Sequence, residues 1–166
     1  EKEITEVYCG NGRGKTTLAI GQALRASSQG KSVIIIQFLK GNERRELDFL
    51  EELDQLDIKI FRFEKMETCY DQLNEEEQAE EERNILNGLN FARKVIATQE
   101  CDFLVLDEIL GLLDKHIATV DMVVGLLKQK DESMHLILTG NRVDPGILDY
   151  VDSVTTITTL GREQNS

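Results

Sequence analysis

The sequence predicts a single-domain α/β fold of the P-loop kind, with a mainly parallel sheet of about six strands flanked by helices. Three observations predict it. Short apolar runs alternate with segments of helical periodicity, the order that places helices on the faces of a parallel sheet. Some runs, residues 32–38 above all, are β-branched and nearly continuous, as strands covered on both faces are. A glycine-rich turn joins the first strand to the first helix, where backbone N–H groups and a helix N-terminus converge on an anion. The 166 residues suit one domain with a substantial core, and no repeat, low-complexity stretch or linker divides residues 1–166.

The first strand is residues 4–9. It leads into Gly10-Asn11-Gly12-Arg13-Gly14-Lys15-Thr16-Thr17, and a helix over about residues 15–27 leaves through Ser28-Gln29-Gly30. Residues 32–38 form the second strand. After Lys40-Gly41 a charged helix is expected over 46–53, then a strand over 58–63 and an aperiodic loop over 64–73. Asn74 with Glu77 three residues on is a capping arrangement, and the long helix that it opens keeps Ile85, Leu89, Ala92 and Ile96 at helical spacing. The acids Glu75, Glu76, Glu77, Glu80, Glu81 and Glu82 crowd its first turns and read as a solvated face that complements the helix dipole. Residues 103–106 form a buried strand that ends in Asp107-Glu108. A helix over 119–128 follows, then a buried strand over 136–138 that ends at Thr139-Gly140. A short helix covers 144–150, with the lone proline, Pro145, near its start, where a missing N–H does no harm. Residues 154–158 are the last strand.

Composition narrows the function. With 40% hydrophobic and 30% charged residues the chain is an ordinary globular protein, and no apolar run reaches the roughly twenty residues of a membrane helix, so no membrane is expected. A net charge of −12 repels nucleic acid phosphates, so no nucleic acid partner is expected. Cys9, Cys69 and Cys101 are widely spaced without a C-x-x-C pair, which suits a reducing, cytoplasmic location. Cys9 and Cys101 flank strands and read as small buried residues. His116 and His135 form no metal-ligand pattern and read as structural. Glu1 is not a natural start, so residues are expected to precede it.

Two motifs carry chemistry. In the glycine-rich loop, Lys15 can reach phosphate oxygens and the Thr16 hydroxyl can ligate magnesium. The usual phosphate-loop pattern needs a glycine where Cys9 stands, and the glycines fall instead at Gly10, Gly12 and Gly14. The second motif, Val105-Leu106-Asp107-Glu108, is an apolar run ending in acids at the same sheet edge, where a carboxylate can hold Mg²⁺ opposite Thr16. Two further strand ends, Gln37-Phe38-Leu39-Lys40-Gly41 and Leu138-Thr139-Gly140-Asn141-Arg142, point to that edge, and Lys40 and Arg142 could face anionic groups.

The loop Gly10-Asn11-Gly12-Arg13-Gly14-Lys15-Thr16-Thr17 resembles that of the P-loop class of ATP:corrinoid adenosyltransferases. That family carries Gly-Asn-Gly-Lys-Gly-Lys-Thr-Thr and likewise lacks the leading glycine. The resemblance continues through Gln37-Phe38-Leu39-Lys40-Gly41, Glu46-Leu47, Val105-Leu106-Asp107-Glu108, Leu138-Thr139-Gly140 and the closing Ile147-Leu148-Asp149-Tyr150-Val151-Asp152-Ser153-Val154, in order along nearly the whole chain. It implies transfer of the 5′-deoxyadenosyl group of ATP to the cobalt of a reduced corrinoid, cob(I)alamin or a precursor such as cob(I)yrinic acid a,c-diamide, with release of triphosphate. The loop would hold the triphosphate, Lys15 would offset its charge, and Thr16 and Glu108 would ligate Mg²⁺ with Asp107 nearby. Asn11 and Arg25 match family positions that contact the nucleotide. The nucleophile is the cobalt, so no side-chain base is required. A homodimer and a flavoprotein reductase as electron source are family expectations.

The chain departs from the family in four places. Arg13 replaces a lysine, and Asn141 intervenes before Arg142 where the family has arginine directly after Thr-Gly. The segment before the long helix lacks the family's tryptophan, the chain having none, so Phe63 or Tyr70 would have to face the corrinoid. The C-terminus lacks the family's histidine–aromatic ending. Two rival readings follow from the loop alone: a divergent ATP-binding module without corrinoid transfer, which would bind ATP without turnover, and a P-loop ATPase or small-molecule kinase, which would release ADP.

Overall fold

In the computed structural model, which describes residues 2–39, 50, 52, 55–63 and 70–161, six strands are assigned: β1 (Thr5–Cys9), β2 (Val33–Gln37), β3 (Ile58–Arg62), β4 (Phe103–Asp107), β5 (His135–Thr139) and β6 (Ser153–Thr156). They form one sheet in the order β3-β2-β4-β5-β1-β6, with every neighbouring pair parallel. The helices are α1 (Lys15–Ser28), α2 (Glu75–Thr98), α3 (Gly111–Asp114), α4 (Val120–Gln129) and α5 (Pro145–Leu148), with a 3-10 turn at Tyr70–Gln72. The predicted fold class is the observed one.

The burial of each strand follows its place in the sheet. All five residues of β2 and of β4 are buried, as their unbroken apolar runs require of inner parallel strands. The edge strand β6 is short and threonine-rich, and three of its four residues are exposed.

Strand periodicity divides the core into two. Ile34, Ile36, Leu104, Leu106, Leu136 and Leu138 face Ile85, Leu89, Ala92 and Ile96 of α2 and Val123 and Leu127 of α4. Val33, Ile35, Phe103, Val105 and Ile137 face Ala19, Ala23 and Ala26 of α1. Small residues at three- and four-residue spacing let α1 sit close to the sheet, so that its N-terminus is held firmly against the strand ends.

The helix starts are legible in local chemistry. Asn74 and Glu77 form the full capping box of α2: the Asn74 side chain accepts from the Glu77 amide at 2.8 Å, and the Glu77 carboxylate accepts from the Asn74 amide at 3.2 Å. Thr119 caps α4, and Asp144 caps α5 with Pro145 just inside it.

Several boundaries differ from the sequence reading. The one-turn helix α3 was not expected, because four residues are too few to show a period. Part of the expected loop over 64–73 is the 3-10 turn at Tyr70–Gln72. The last strand begins at Ser153 and stops at Thr156, because Ile157 to Thr159 leave the sheet edge to bind the glycine-rich loop. Of the helix expected over 46–53 only residues 50 and 52 are described, and Lys40, Glu46, Leu47 and Cys69 lie outside the described residues. Cys9 and Cys101 are free and buried, and burial pushes the Cys101 thiol up to about 12.

Two helical glycines separate packing from propensity. A Cβ on Gly88 would stand 2.6 Å from Phe63 and 2.9 Å from Phe38, whereas one on Gly21 would meet nothing within 4 Å. Gly21→Ala is expected to stabilise the fold by about 0.5–1 kcal/mol. Gly88→Ala gains the same propensity but overpacks the core by about 1–3 kcal/mol, so a net loss is expected. Urea unfolding of the two variants measures both signs.

Candidate active site at the carboxyl edge of the sheet

Because all six strands are parallel, their carboxyl ends share one edge. The glycine-rich loop leaves β1 there. Cys9, which takes the place of a leading glycine, is the last residue of β1, pairs with Thr156 and is buried. The loop therefore begins at Gly10. Gly10 and Gly12 lie against the chain after β6: a Cβ on either would come within 2.3 Å and 2.6 Å of the Ile157 carbonyl oxygen. That contact explains the glycines at positions 10 and 12. Hydrogen bonds fix it, from the Gly12 amide to the Ile157 carbonyl at 2.9 Å, from the Arg13 amide to Thr159 Oγ1 at 2.8 Å, and from the Ile157 amide to the Cys9 carbonyl at 2.8 Å.

Gly14 is the N-cap of α1, in the left-handed region with φ 100°, and no side chain caps the helix. A Cβ there would meet nothing within 4 Å. The N-terminus of α1, uncapped by any side chain, is the positive end of the helix and a setting for an anion. Lys15 Nζ donates to the Gly10 carbonyl at 2.7 Å, to Asn141 Oδ1 at 3.1 Å and, at the longer 3.4 Å, to the Gly12 carbonyl.

The acids stand two strands away. Asp107 ends β4 with 1% of its surface exposed. By strand alternation its side chain lies on the α1 face, beside Gln37 in register on β2 and level with Thr139 on β5. It accepts from Thr16 Oγ1 at 2.9 Å, from Gln37 Nε2 at 3.2 Å and from Thr139 Oγ1 at 2.8 Å. Arg62 on β3 reaches the same row through Gln37, Nε to Oε1 at 3.2 Å. Glu108, next in the chain, is left-handed with φ 65°, an unusual state for a non-glycine residue that ends the strand abruptly. Its amide donates to Thr139 Oγ1 at 2.8 Å, and its carboxylate rests above Gly111, where a Cβ would meet Oε2 at 3.1 Å.

This donor set fits Mg²⁺. Thr16, Asp107 and Glu108 offer hard oxygens beside the start of α1. Among the described residues no three His, Cys, Asp or Glu side chains gather into a metal cage of their own. An ion whose remaining ligands are phosphate oxygens and water needs no such cage.

The other expected site residues are spread more widely. Asn11, Arg13 and Thr17 are exposed around the loop. Arg25 is exposed in the last turn of α1, about 15 Å along the axis from Lys15 at 1.5 Å per residue. Arg142 pairs with Asp114, Nε to Oδ1 at 3.2 Å, and lines a cavity of about 480 Å³ between the chain segments after β4 and β5. Phe63 follows β3 directly, whereas Tyr70 opens the 3-10 turn whose Asp71 pairs with Lys115 just after α3. The Phe63 ring lies 5.6 Å from that of Phe91 on α2, and the Tyr70 hydroxyl donates to Glu82 at 2.5 Å. β3 is four strand spacings from β1, about 19 Å from the loop.

Sequence reasoning passed over Gln37, Thr139, Asn141 and Thr159. At the two strand ends flanking the acids it singled out the cations Lys40 and Arg142. Lys40 lies outside the described residues, whereas Gln37 and Thr139 reach Asp107, and the signal that finds them is strand parity, which turns both onto the face of Asp107.

A parallel sheet carrying this loop and this acid-ended strand defines a nucleotide-binding protein of the P-loop class. Residues 1–164 match the family described as ATP:corrinoid adenosyltransferase BtuR/CobO/CobP, and the chain belongs to that family. It is 31% identical over 160 residues to the corrinoid adenosyltransferase of Escherichia coli K12, a match covering 93% of this chain and 76% of the relative. It is 29% identical over 158 residues to corrinoid adenosyltransferase CobA of Salmonella typhimurium, with the same coverage of 93% and 76%. The fold is also that of a KaiC-like protein of Pyrococcus horikoshii, with a TM-score of 0.62 at 19% identity over 93% of this chain and 71% of the other.

Thr139→Val tests the acid network. It removes one hydroxyl that serves both Asp107 and the Glu108 amide, so a stability loss of about 1–3 kcal/mol is expected, together with weaker MgATP binding. Chemical denaturation and calorimetric titration of the same sample measure the two.

Proposed function

We propose that the chain transfers the 5′-deoxyadenosyl group of ATP to the cobalt of a reduced corrinoid. Cobalt(I) supplies the electron pair of the new cobalt–carbon bond. The C5′–oxygen bond breaks, and triphosphate leaves with that bond's electron pair. The single observation that carries the reading is the loop. Gly14 opens α1 with no side chain capping the helix, and the Lys15 ammonium beside it is held, among the described residues, by neutral acceptors. Such a site is built to stabilise charge that develops on a polyphosphate. Family membership supplies the acceptor substrate.

In this reading Lys15 and the first-turn amides hold the leaving triphosphate, and Asn11, Arg13 and Thr17 border it. Thr16, Asp107 and Glu108 would hold Mg²⁺, which when bound neutralises part of the triphosphate charge. Positioning and preformed electrostatics supply the acceleration, because the nucleophile comes with the substrate. Arg25, Lys40 and Arg142 belong to the proposal as further nucleotide contacts. Phe63 and Tyr70, both anchored to α2, are proposed to face the corrinoid in place of a tryptophan. Desolvation and the Glu82 carboxylate push the Tyr70 phenol up to about 12, so it stays neutral.

The proposal extends to a cytoplasmic homodimer that draws electrons from a flavoprotein reductase. Its support is the family and the free, buried thiols of Cys9 and Cys101 among the described residues, which suit a reducing compartment. Among the described residues no helix is long and apolar enough to cross a membrane.

The test is an anaerobic incubation with MgATP and chemically reduced cob(I)alamin, following the absorbance of the cobalt–carbon bond and assaying triphosphate. One triphosphate per bond is expected, and Lys15→Ala should lower kcat/KM by about 100-fold or more. ADP and phosphate without bond formation would instead show a hydrolase, and ATP binding without turnover a binding module.

A further inference from the structure

β5 lies between β1 and β4, so its carboxyl end stands between the loop and the acids. Thr139 serves the acid side. Two residues on, Asn141 serves the lysine side twice over: its backbone carbonyl accepts the Gly10 amide at 2.8 Å, and its side-chain oxygen accepts Lys15 Nζ at 3.1 Å. An ammonium has three protons. One is firmly taken by the Gly10 carbonyl at 2.7 Å, one by Asn141, and the third makes only the 3.4 Å contact to Gly12. Two mounting points fix the direction of the third proton.

The chemistry of the mount matters as much as its geometry. All three acceptors are neutral, so the positive charge of Lys15 is held in place without being cancelled, in a chain whose net charge is −12. A carboxylate in the place of the Asn141 amide would hold the ammonium more strongly while neutralising it and repelling phosphate.

We propose that Asn141 is a positioning residue of the polyphosphate site, which aims the Lys15 ammonium at the triphosphate and leaves its charge uncompensated. The inference rests on the reading of the loop as the triphosphate site. On arrival, a phosphate oxygen takes the third proton in exchange for the long Gly12 contact, while Gly10 and Asn141 keep their hold. Asn141 is exposed, and its backbone bond to Gly10 survives substitution, so variants are expected to fold.

The test is calorimetric titration of the wild type, Asn141→Ala and Asn141→Asp with inorganic triphosphate and with MgATP, and thermal unfolding of the same ligand-free samples. Asn141→Ala should weaken triphosphate binding by about tenfold, the loss of one charge-assisted hydrogen bond. Asn141→Asp should weaken it on the order of 100-fold, yet leave the ligand-free protein at least as heat-stable as the wild type, because Asp pairs with Lys15. A merely structural asparagine predicts the same sign for affinity and stability. Equal triphosphate affinity in all three proteins, or tighter binding by Asn141→Asp than by Asn141→Ala, overturns the inference while the loop reading stands. A wild type that binds neither triphosphate nor ATP overturns both.

Discussion

The buried carboxylate of Asp107 is the constraint on which the site depends. An ionised group taken out of water is destabilising by several kcal/mol unless its oxygens are satisfied. With 1% of its surface exposed, Asp107 must recruit donors from every side. Thr16 comes from the start of α1, Gln37 from β2 and Thr139 from β5, so one carboxylate ties together a helix and three strands. Each partner then has a second duty. Gln37 holds Arg62, Thr139 holds the Glu108 amide, and Thr16 stands in the first turn beside the lysine. The proposed phosphate site is thereby tied together by hydrogen bonds within the protein, which is the condition for preformed electrostatics to act.

The same constraint explains why a parallel sheet suits this chemistry. With all strands parallel, the loop and the acids meet at one edge, and strand alternation decides which side chains face α1. Gln37, Asp107 and Thr139 share a row and a face because their neighbours Ile35, Val105 and Ile137 pack on α1. The opposite set packs on α2 and α4. The core therefore specifies the site: a register slip of one residue in β4 would turn Asp107 away from Thr16. The chain after β6 adds a second tie, bracing Gly10 and Gly12 from the outer side.

Most of this fold was legible in the sequence, because buried parallel strands announce themselves as continuous apolar runs and α2 by its capping box. The loop and the acid-ended strand were legible as motifs because glycine, lysine, threonine and aspartate at that spacing stand out in a sequence. What escaped were neutral polar residues. Gln37, Thr139 and Asn141 look ordinary in a sequence, and only register and parity bring them to Asp107 and Lys15. Lys40 and Arg142 drew attention as charges, yet Arg142 pairs with Asp114. The role of the chain after β6 was also hidden, since a contact between Gly12 and Ile157 spans nearly the whole sequence.

The central claim is that Asp107 makes this edge a site for ATP together with a divalent cation. The most direct measurement is ATP affinity as a function of Mg²⁺ concentration, for the wild type and for Asp107→Asn, with thermal unfolding as the control for folding. The account predicts that Mg²⁺ tightens ATP binding to the wild type by about tenfold or more. It predicts that this dependence nearly vanishes in Asp107→Asn while metal-free ATP affinity stays within about threefold. An Asp107→Asn protein that is folded and keeps the full magnesium dependence would contradict it.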